Sequence, residues 1–484
     1  MVHPYKAYLT RLHDAPDDLL VIHGERRLSR GQLGQIAGGI ARKLEQMKIV
    51  STVDLEQPRV LICLPNSPEM MALILAVWAQ GGLPMLLSPK SPSNHLRYIQ
   101  SRHHPELVVD EMVLRTLLGS PNPLPEREIS GDVDASAVFT SGSTGTPKGV
   151  VQKGITLSSS TCRISEDLGY TSHERILVPI PMSHDYGWNQ MLAGLVCGHT
   201  IILPDNSSLI EVSRAIDKHK PSVVAGVPSL YTGLLMGVSG FESVDTSNVR
   251  MLISTGSPFS SRLYQMLKDR VPDARILLNY GLTETFRSCC LRPEDLRDSE
   301  SSLGRPVKGV EIIIVDENGR ELPPKSEGEI VHVGAGSFDR YLDDLDKTRQ
   351  TRSIVSDQPA VATGDIGYLD TSGYVYFIGR RDRLVKVMDI NVSLNEVENI
   401  IASLDGVEEV AVISRGNIFM GKEIIALCVL QADSTQSEIK QKISLALPAH
   451  MQPRKIYTGA TLPRTSLGKV DYPAVQKLCK VLSV

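Results

Sequence analysis

Cysteine, aromatic residues, net charge and long apolar runs are all scarce in this sequence. Its seven cysteines (63, 162, 197, 289, 290, 428 and 479) are scattered, odd in number and without a C-x-x-C pair. That pattern implies reduced thiols in a cytoplasmic protein. Aromatics make up 5% of the chain and the net charge is only −4. Such a balance gives no reason to expect a nucleic-acid partner or an anionic membrane. The most apolar run, Met70 to Trp78, is far too short to span a bilayer. The opening Met-Val-His-Pro-Tyr-Lys carries no signal-peptide pattern. Internal repeats and low-complexity tracts are missing as well.

What is present is ordinary globular composition, 42% apolar and 22% charged over 484 residues. A chain of that length is expected to split into two or three packed units. Apolar residues at 33, 36, 37, 40, 41 and 44 form the stripe of an amphipathic helix, with Ser29 as N-cap. Val60 to Leu64 reads as a buried strand. Ser67-Pro68-Glu69 then supplies a cap, a proline at the first helical position and a first-turn acid. That helix runs to Gly81-Gly82, before a strand over Leu83 to Leu87. Leu107 to Val109, Ile201 to Leu203, Val223 to Ala225 and Met251 to Ile253 continue the series. Most are separated by enough residues for a helix, so the expected fold is α/β, with mostly parallel sheets covered by helices.

Beyond about residue 300 the pattern changes. Val310 to Val315, the turn Asp316-Glu317-Asn318-Gly319, Gly328 to Val331 and Gly373 to Ile378 predict antiparallel hairpins in a β-rich subdomain. The last hundred residues read as a small α+β unit, with strands over Val407 to Ile413 and Ile424 to Leu430. A helix follows through Glu438, Ile439, Ile443 and Leu447. The expected cut lies near Asp382, giving domains 1–381 and 382–484.

The richest chemistry lies in Val138-Phe139-Thr140-Ser141-Gly142-Ser143-Thr144-Gly145-Thr146-Pro147-Lys148-Gly149-Val150. Glycines let backbone N–H groups approach an anion, hydroxyls donate hydrogen bonds, and lysine adds a mobile charge. The set suits a polyphosphate. It is not a Walker A loop, because Lys148 is followed by Gly149 and the glycine spacing differs. A Gly/Ser/Thr cluster taken alone also fits a plain surface turn. The residue order, however, resembles the phosphate loop of the adenylate-forming superfamily, which holds acyl- and aryl-CoA synthetases, peptide-synthetase adenylation domains and beetle luciferases.

Further segments in the same order carry the resemblance. Asn279-Tyr280-Gly281-Leu282-Thr283-Glu284-Thr285 is similar to the family's Tyr-Gly-x-Thr-Glu motif, and Ile253-Ser254-Thr255-Gly256-Ser257-Pro258 to the loop that follows the purine. The resemblance implies ATP and Mg²⁺ as cofactors, with Tyr280 against adenine, Thr283 at the phosphate and Glu284 helping to hold the metal. Thr363-Gly364-Asp365 and Gly379-Arg380-Arg381-Asp382 match the ribose-binding aspartate, its neighbouring arginine and the hinge residue. An ionised carboxylate suits two ribose hydroxyls, since each oxygen accepts one donor. A surface salt bridge between Asp365 and Arg380 is the structural alternative. Pro463 to Val470 resembles the segment of the adenylation lysine, here Lys469. Attack of a carboxylate on the α-phosphate builds charge on the phosphoryl oxygens, which an ammonium stabilises. By resemblance, Lys148 and Lys469 serve one polyphosphate from different domains, the C-terminal one being mobile.

In relatives the segment Pro181 to Gln190 lines the acyl pocket, implicating His184, Asp185 and Asn189. A buried carboxylate costs several kcal/mol unless paired, so Asp185 points to a substrate with an amino, hydroxyl or other donor group. Asp185 as the N-cap of a helix starting at Tyr186 explains the residue equally well. Arg287 and Ser288 follow the Tyr-Gly-x-Thr-Glu motif at positions that face the pocket in relatives. Arg287 either pairs with Asp185 or recognises a second acidic or carbonyl group on the acid.

Two departures stand out. Lys153-Gly154 replace the usual Ser/Thr-His, and Lys386-Val387-Met388-Asp389 replaces the usual Lys-x-x-Gly that admits a pantetheine arm. Asp389 adds bulk and negative charge beside a thiol nucleophile. The expected activity is therefore an ATP-dependent, AMP-forming ligase that makes an acyl-adenylate. The acyl group then goes to the thiol of CoA or a carrier protein, or alternatively to an amine. A non-catalytic nucleotide-binding module is the remaining alternative.

Overall fold

The computed structural model describes the chain except residues 1, 52–56, 142–145, 172, 257–258, 297–301, 388–389, 418–420, 466–468 and 483–484. Its contacts divide it into two compact units, Met1–Ile312 with Val331–Ala362, and Ile313–Ile330 with Thr363–Val484.

The first unit is built on two sheets. In one, Arg275–Tyr280, Met251–Thr255, Val223–Gly226, Arg175–Leu177, Thr200–Leu203 and Leu19–His23 run parallel in that spatial order, with antiparallel strands at either end. In the other, Leu107–Val109, Arg59–Ile62, Leu83–Leu86 and Asp134–Ser141 are parallel. Pro147–Lys153 and Arg340–Tyr341 then close the edge antiparallel. Successive side chains of each strand go to opposite faces. Met251 and Ile253 enter the main core while Leu252 enters a second core among the helices Leu209–His219, Pro228–Met236 and Ser261–Arg270. Val60 and Ile62 face the main core and Leu61 a smaller one.

Helix Pro68–Ala79 lies within the main core, every residue but Glu69 buried. A helix apolar all round has no face to give to water, which explains the run Met70 to Trp78 without a membrane. Trp78 Nε1 donates to the Ala135 carbonyl at 2.8 Å, pinning helix to sheet. Among the described residues, no helix is long and apolar enough to cross a bilayer. The amphipathic stripe over 33–44 becomes helix Arg30–Gln46, and Ser29 closes a capping box with Gln32. All seven cysteines are free thiols.

In the second unit, Val375–Arg380 pairs antiparallel with the end of Gln358–Leu369. The turn at 316–319 forms as expected, Asp316 Oδ1 accepting from the Asn318 and Arg320 N–H groups. Val407–Asn417 and Gly421–Leu430 make a long hairpin, joined in parallel by Lys455–Thr458. Helices Leu394–Ala402 and Gln436–Ala446 cover one face of it, and Tyr472–Val481 the other. Ser393 Oγ donates to the Ile378 carbonyl at 3.0 Å, tying strand Val375–Arg380 to the helix that follows. Compact packing thus groups residues 363–381 with the C-terminal part. A pivot at Asp382 is a matter of motion, and it is carried forward as a proposal.

Candidate active site

The strands on either side of the glycine-rich segment run antiparallel, Thr140 pairing with Lys148 and Ser141 with Pro147. Gly142, Ser143, Thr144 and Gly145 lie outside the described residues, as do Ser257 and Pro258. Lys148 Nζ stands 5.6 Å from the centre of the Tyr341 ring. The Tyr341 hydroxyl donates to Glu284 Oε1 at 2.6 Å, and the Phe338 N–H to the Glu284 carbonyl at 2.8 Å. The predicted phosphate lysine and metal carboxylate are thereby gathered around one phenol. Two residues on, Asp343 accepts a forked pair from Arg59 at 2.8 and 3.0 Å and contacts His103 Nδ1 at 2.8 Å.

Asn279 and Tyr280 end a parallel strand, beside the end of Met251–Thr255, with Thr255 in register with Asn279. Gly256 follows directly, so the two loops expected at the nucleotide leave neighbouring strands at their carboxyl ends. In open α/β sheets that is where ligands bind. Asn279 Nδ2 donates to the Ser254 carbonyl at 3.3 Å, while its buried Oδ1 has no partner among the described residues. Thr283 gives its carbonyl to Gln152 Nε2 at 3.5 Å. Gly281 is needed for close approach: a Cβ there would come 2.9 Å from Arg287 Cα.

His184 takes the N-cap position of helix Asp185–Leu192, without a side-chain cap bond. Asp185 is therefore the first helical residue and not the cap; its carboxylate sits in the first turn, where the helix dipole favours it. Gly187 lets this turn press on the preceding loop, since a Cβ would lie 2.2 Å from the Pro181 carbonyl oxygen. Asn66 holds the same loop, accepting from Met182 N–H at 2.7 Å and donating to the Ile180 carbonyl at 2.8 Å. Asn189 is buried. Arg287 is 3% exposed and makes no ion pair or side-chain hydrogen bond among the described residues. Its pairing with Asp185 is thus not realised. Ser288 is fully buried, its hydroxyl bonded to Thr285 Oγ1 and His332 Nδ1, both at 3.0 Å.

In the second unit, Arg380 Nη1 lies 2.9 Å from Asp365 Oδ1, the two facing each other across adjacent strands. The arginine is partly exposed, but Asp365 is buried, so this is no surface bridge. Thr363 Oγ1 donates to the Ile330 carbonyl at 2.6 Å and accepts from Asp365 N–H at 3.1 Å, fixing the turn. Asp382 lies in the one-turn helix Arg381–Arg383. Lys469 is exposed, and its carbonyl accepts from Thr465 N–H at 2.8 Å. Asp389 lies outside the described residues.

A family model described as AMP-binding enzyme matches residues 10–342, and one for the AMP-binding enzyme C-terminal domain matches 396–469. The chain belongs to the AMP-binding enzyme family. A 2-succinylbenzoate–CoA ligase of Enterococcus faecalis is 27% identical over 432 residues, covering 86% of this chain and 87% of that protein. Tyrocidine synthase 1 of Brevibacillus parabrevis is 25% identical over 489 residues, covering 95% of this chain but 43% of that protein. The crystal structure of ATP-bound MatB from Rhodopseudomonas palustris shares the fold at a TM-score of 0.88, with 24% identity over 99% of both chains. This AMP-binding enzyme is an AMP-forming ligase, activating a carboxylic acid with ATP as an acyl-adenylate.

The donor set fits its cofactors. Among the described residues, no group of three or more His, Cys, Asp or Glu side chains could hold a metal. Mg²⁺ is usually taken by one or two carboxylates plus substrate phosphates, so Glu284 alone matches that habit. The unsatisfied Asn279 oxygen suits an exocyclic amine of a purine. Tyr341, Asp343 and Asn66 were missed in the sequence, where nothing local marks them. Tyr341 reaches a partner 57 residues away and Asp343 one 284 away.

Proposed function

We propose that the acid is small, with a polar group besides its carboxyl, and that the acyl group passes to a phosphopantetheine thiol of CoA or a carrier protein. The thiolate attacks the adenylate carbonyl, the bond to the phosphate oxygen breaks, and AMP leaves. The observation carrying this reading is the near-full-length likeness to a CoA ligase. Lys148 and Thr283 attend the phosphates, Glu284 the Mg²⁺, and the loops at Thr140 to Gly145 and Gly256 to Pro258 the nucleotide. Asp365 with Arg380 holds the ribose, Lys469 supports adenylation, and Asp382 is the pivot between half-reactions. His184, Asp185, Asn189 and Arg287 meet the acid. The free thiols and small net charge favour a cytoplasmic enzyme without nucleic-acid or membrane partners.

Incubation with ATP, Mg²⁺ and an acid panel, adding CoA, holo carrier protein or an amine in turn, tests the acceptor. Product with a thiol is expected; product with the amine alone overturns that half. The amide reading keeps one observation in its favour, Asp389 where the family has glycine. For adenylation, Lys469→Ala should slow pyrophosphate release about 10²- to 10³-fold, the range for removing one charge-stabilising donor. Its melting temperature should not change, because Lys469 is exposed. Full-rate adenylation by that variant removes Lys469 from the mechanism.

A further inference from the structure

We propose that Arg287 reads a second carboxylate on the acid, making this a ligase for diacids activated at one end. The inference rests on the acyl-pocket reading of Pro181–Gln190 and Tyr280–Ser288. Arg287 is 3% exposed, and its buried Nη1 finds no hydrogen-bond acceptor among the described residues. No carboxylate pairs with it there. Burying an uncompensated charge is costly, and a charge left so in the protein alone needs a ligand to complete it. Arginine presents a planar fork of donors matched to two carboxylate oxygens, so an anionic carboxylate satisfies it where a single neutral acceptor does not.

The surroundings favour the same end group. The Tyr170 hydroxyl is also buried without a partner among the described residues. Burial pushes that hydroxyl's pKa up, with the Arg287 charge the main influence the other way, so the two groups lie within electrostatic reach. Tyr186, in the segment expected to line the pocket, feels the same charge. Its own hydroxyl is spent on the Ile253 carbonyl at 3.0 Å.

The backbone is bent to bring the arginine in. Phe286 sits at φ +61, a left-handed conformation that is strained for a residue with a Cβ. Arg287 N–H then donates to the Thr285 carbonyl at 2.6 Å, and Gly281 makes room for Arg287 Cα. Strain of this kind persists where the surroundings enforce it, often at ligand clamps.

The test compares succinate, glutarate, adipate and benzene-1,3-dicarboxylate with their methyl half-esters in ATP–pyrophosphate exchange by the full chain. At least one diacid should exceed its half-ester about 100-fold or more in kcat/KM, as sites built for a polar group reject analogues lacking it. Arg287→Gln should lose that diacid activity by a similar factor, so that its preference for diacid over half-ester shrinks to within about threefold. Half-esters accepted by the native enzyme as well as diacids overturn the assignment, whatever the variant does. So does an Arg287→Gln enzyme of native melting temperature that keeps the diacid preference. If amino or hydroxy monoacids exchange and no diacid does, this inference fails while acid activation stands. If no acid of any kind exchanges, both fall.

Discussion

At the scale of single residues, Tyr341 is the side chain around which the phosphate end of the site is arranged. Its hydroxyl fixes Glu284, the carboxylate proposed for Mg²⁺, and its ring lies under the Lys148 ammonium. A hydrogen bond to a charged group contributes about 1.5 to 3 kcal/mol, so Tyr341→Phe should raise the Mg²⁺ concentration for half-maximal pyrophosphate release roughly tenfold or more. The phenyl ring keeps the packing, and the melting temperature should shift little. An unchanged Mg²⁺ requirement would mean that Glu284 needs no such support. Tyr341 was invisible in the sequence because its partner is remote along the chain. Asp365 and Arg380 were legible for the opposite reason: each sits in a short motif, and one hairpin sets them opposite each other. For Asp185 the sequence left two roles open, and a helix beginning one residue earlier than expected removed the capping role.

Between residue and molecule, legibility followed burial. Helix Arg30–Gln46 announced itself through a one-sided apolar stripe and a serine cap, because its other face meets water. Helix Pro68–Ala79 has no stripe, since it is enclosed; its start was marked only by Ser67, Pro68 and Glu69. Leu73, wholly buried in its middle, should lose about 2 to 5 kcal/mol of unfolding free energy on replacement by alanine. Denaturant melts would show this as a lower midpoint at unchanged slope; a loss below about 1 kcal/mol would mean that the two sheets can close over the gap. Helix Asp185–Leu192 makes a different prediction. An alanine at Gly187 must displace the Pro181 carbonyl, and with it the loop that Asn66 anchors. Overpacking of this kind costs about 1 to 3 kcal/mol. The functional loss should fall on KM for the acid more than on KM for ATP, because the shifted loop belongs to the proposed acyl pocket. Equal losses for both substrates would indicate general unfolding instead.

For the molecule as a whole, buried histidines set the response to acid: burial lowers the pKa of five, His103 and His219 among them, and three are moved furthest. His3 and His199 are pushed down to about 3 and about 4 by burial. His332 is likewise held at about 4 by burial, its Nε2–H facing the Ala335 carbonyl and Nδ1 facing Ser288. Unfolded, each imidazole takes a proton near pH 6.5. Between pH 6.5 and about 4, the unfolded chain therefore binds more protons than the folded one, so stability falls as pH falls. Each group contributes a slope approaching 1.4 kcal/mol per pH unit. Three together remove roughly 4 kcal/mol per unit, a large share of a typical stability of about 5 to 15 kcal/mol. Glu174 adds its loss lower down. Burial raises its pKa, but hydrogen bonds from Arg250, Ser222 and Thr171 outweigh that and hold it at about 2, so its contribution fades from pH 4.5 downward. The melting temperature should be level above pH 7, fall from about pH 6.5 and reach unfolding before carboxylates matter. His199 offers the cleanest check, since both its ring nitrogens lack partners among the described residues. It packs edge-on to Tyr170 at 5.4 Å, an arrangement phenylalanine can keep. His199→Phe should leave the melting temperature at pH 7.5 unchanged or higher and flatten the decline between pH 6.5 and 4.5 by up to about a third. A native curve that stays level down to pH 5 would show that these imidazoles are protonated as readily inside the fold as outside it.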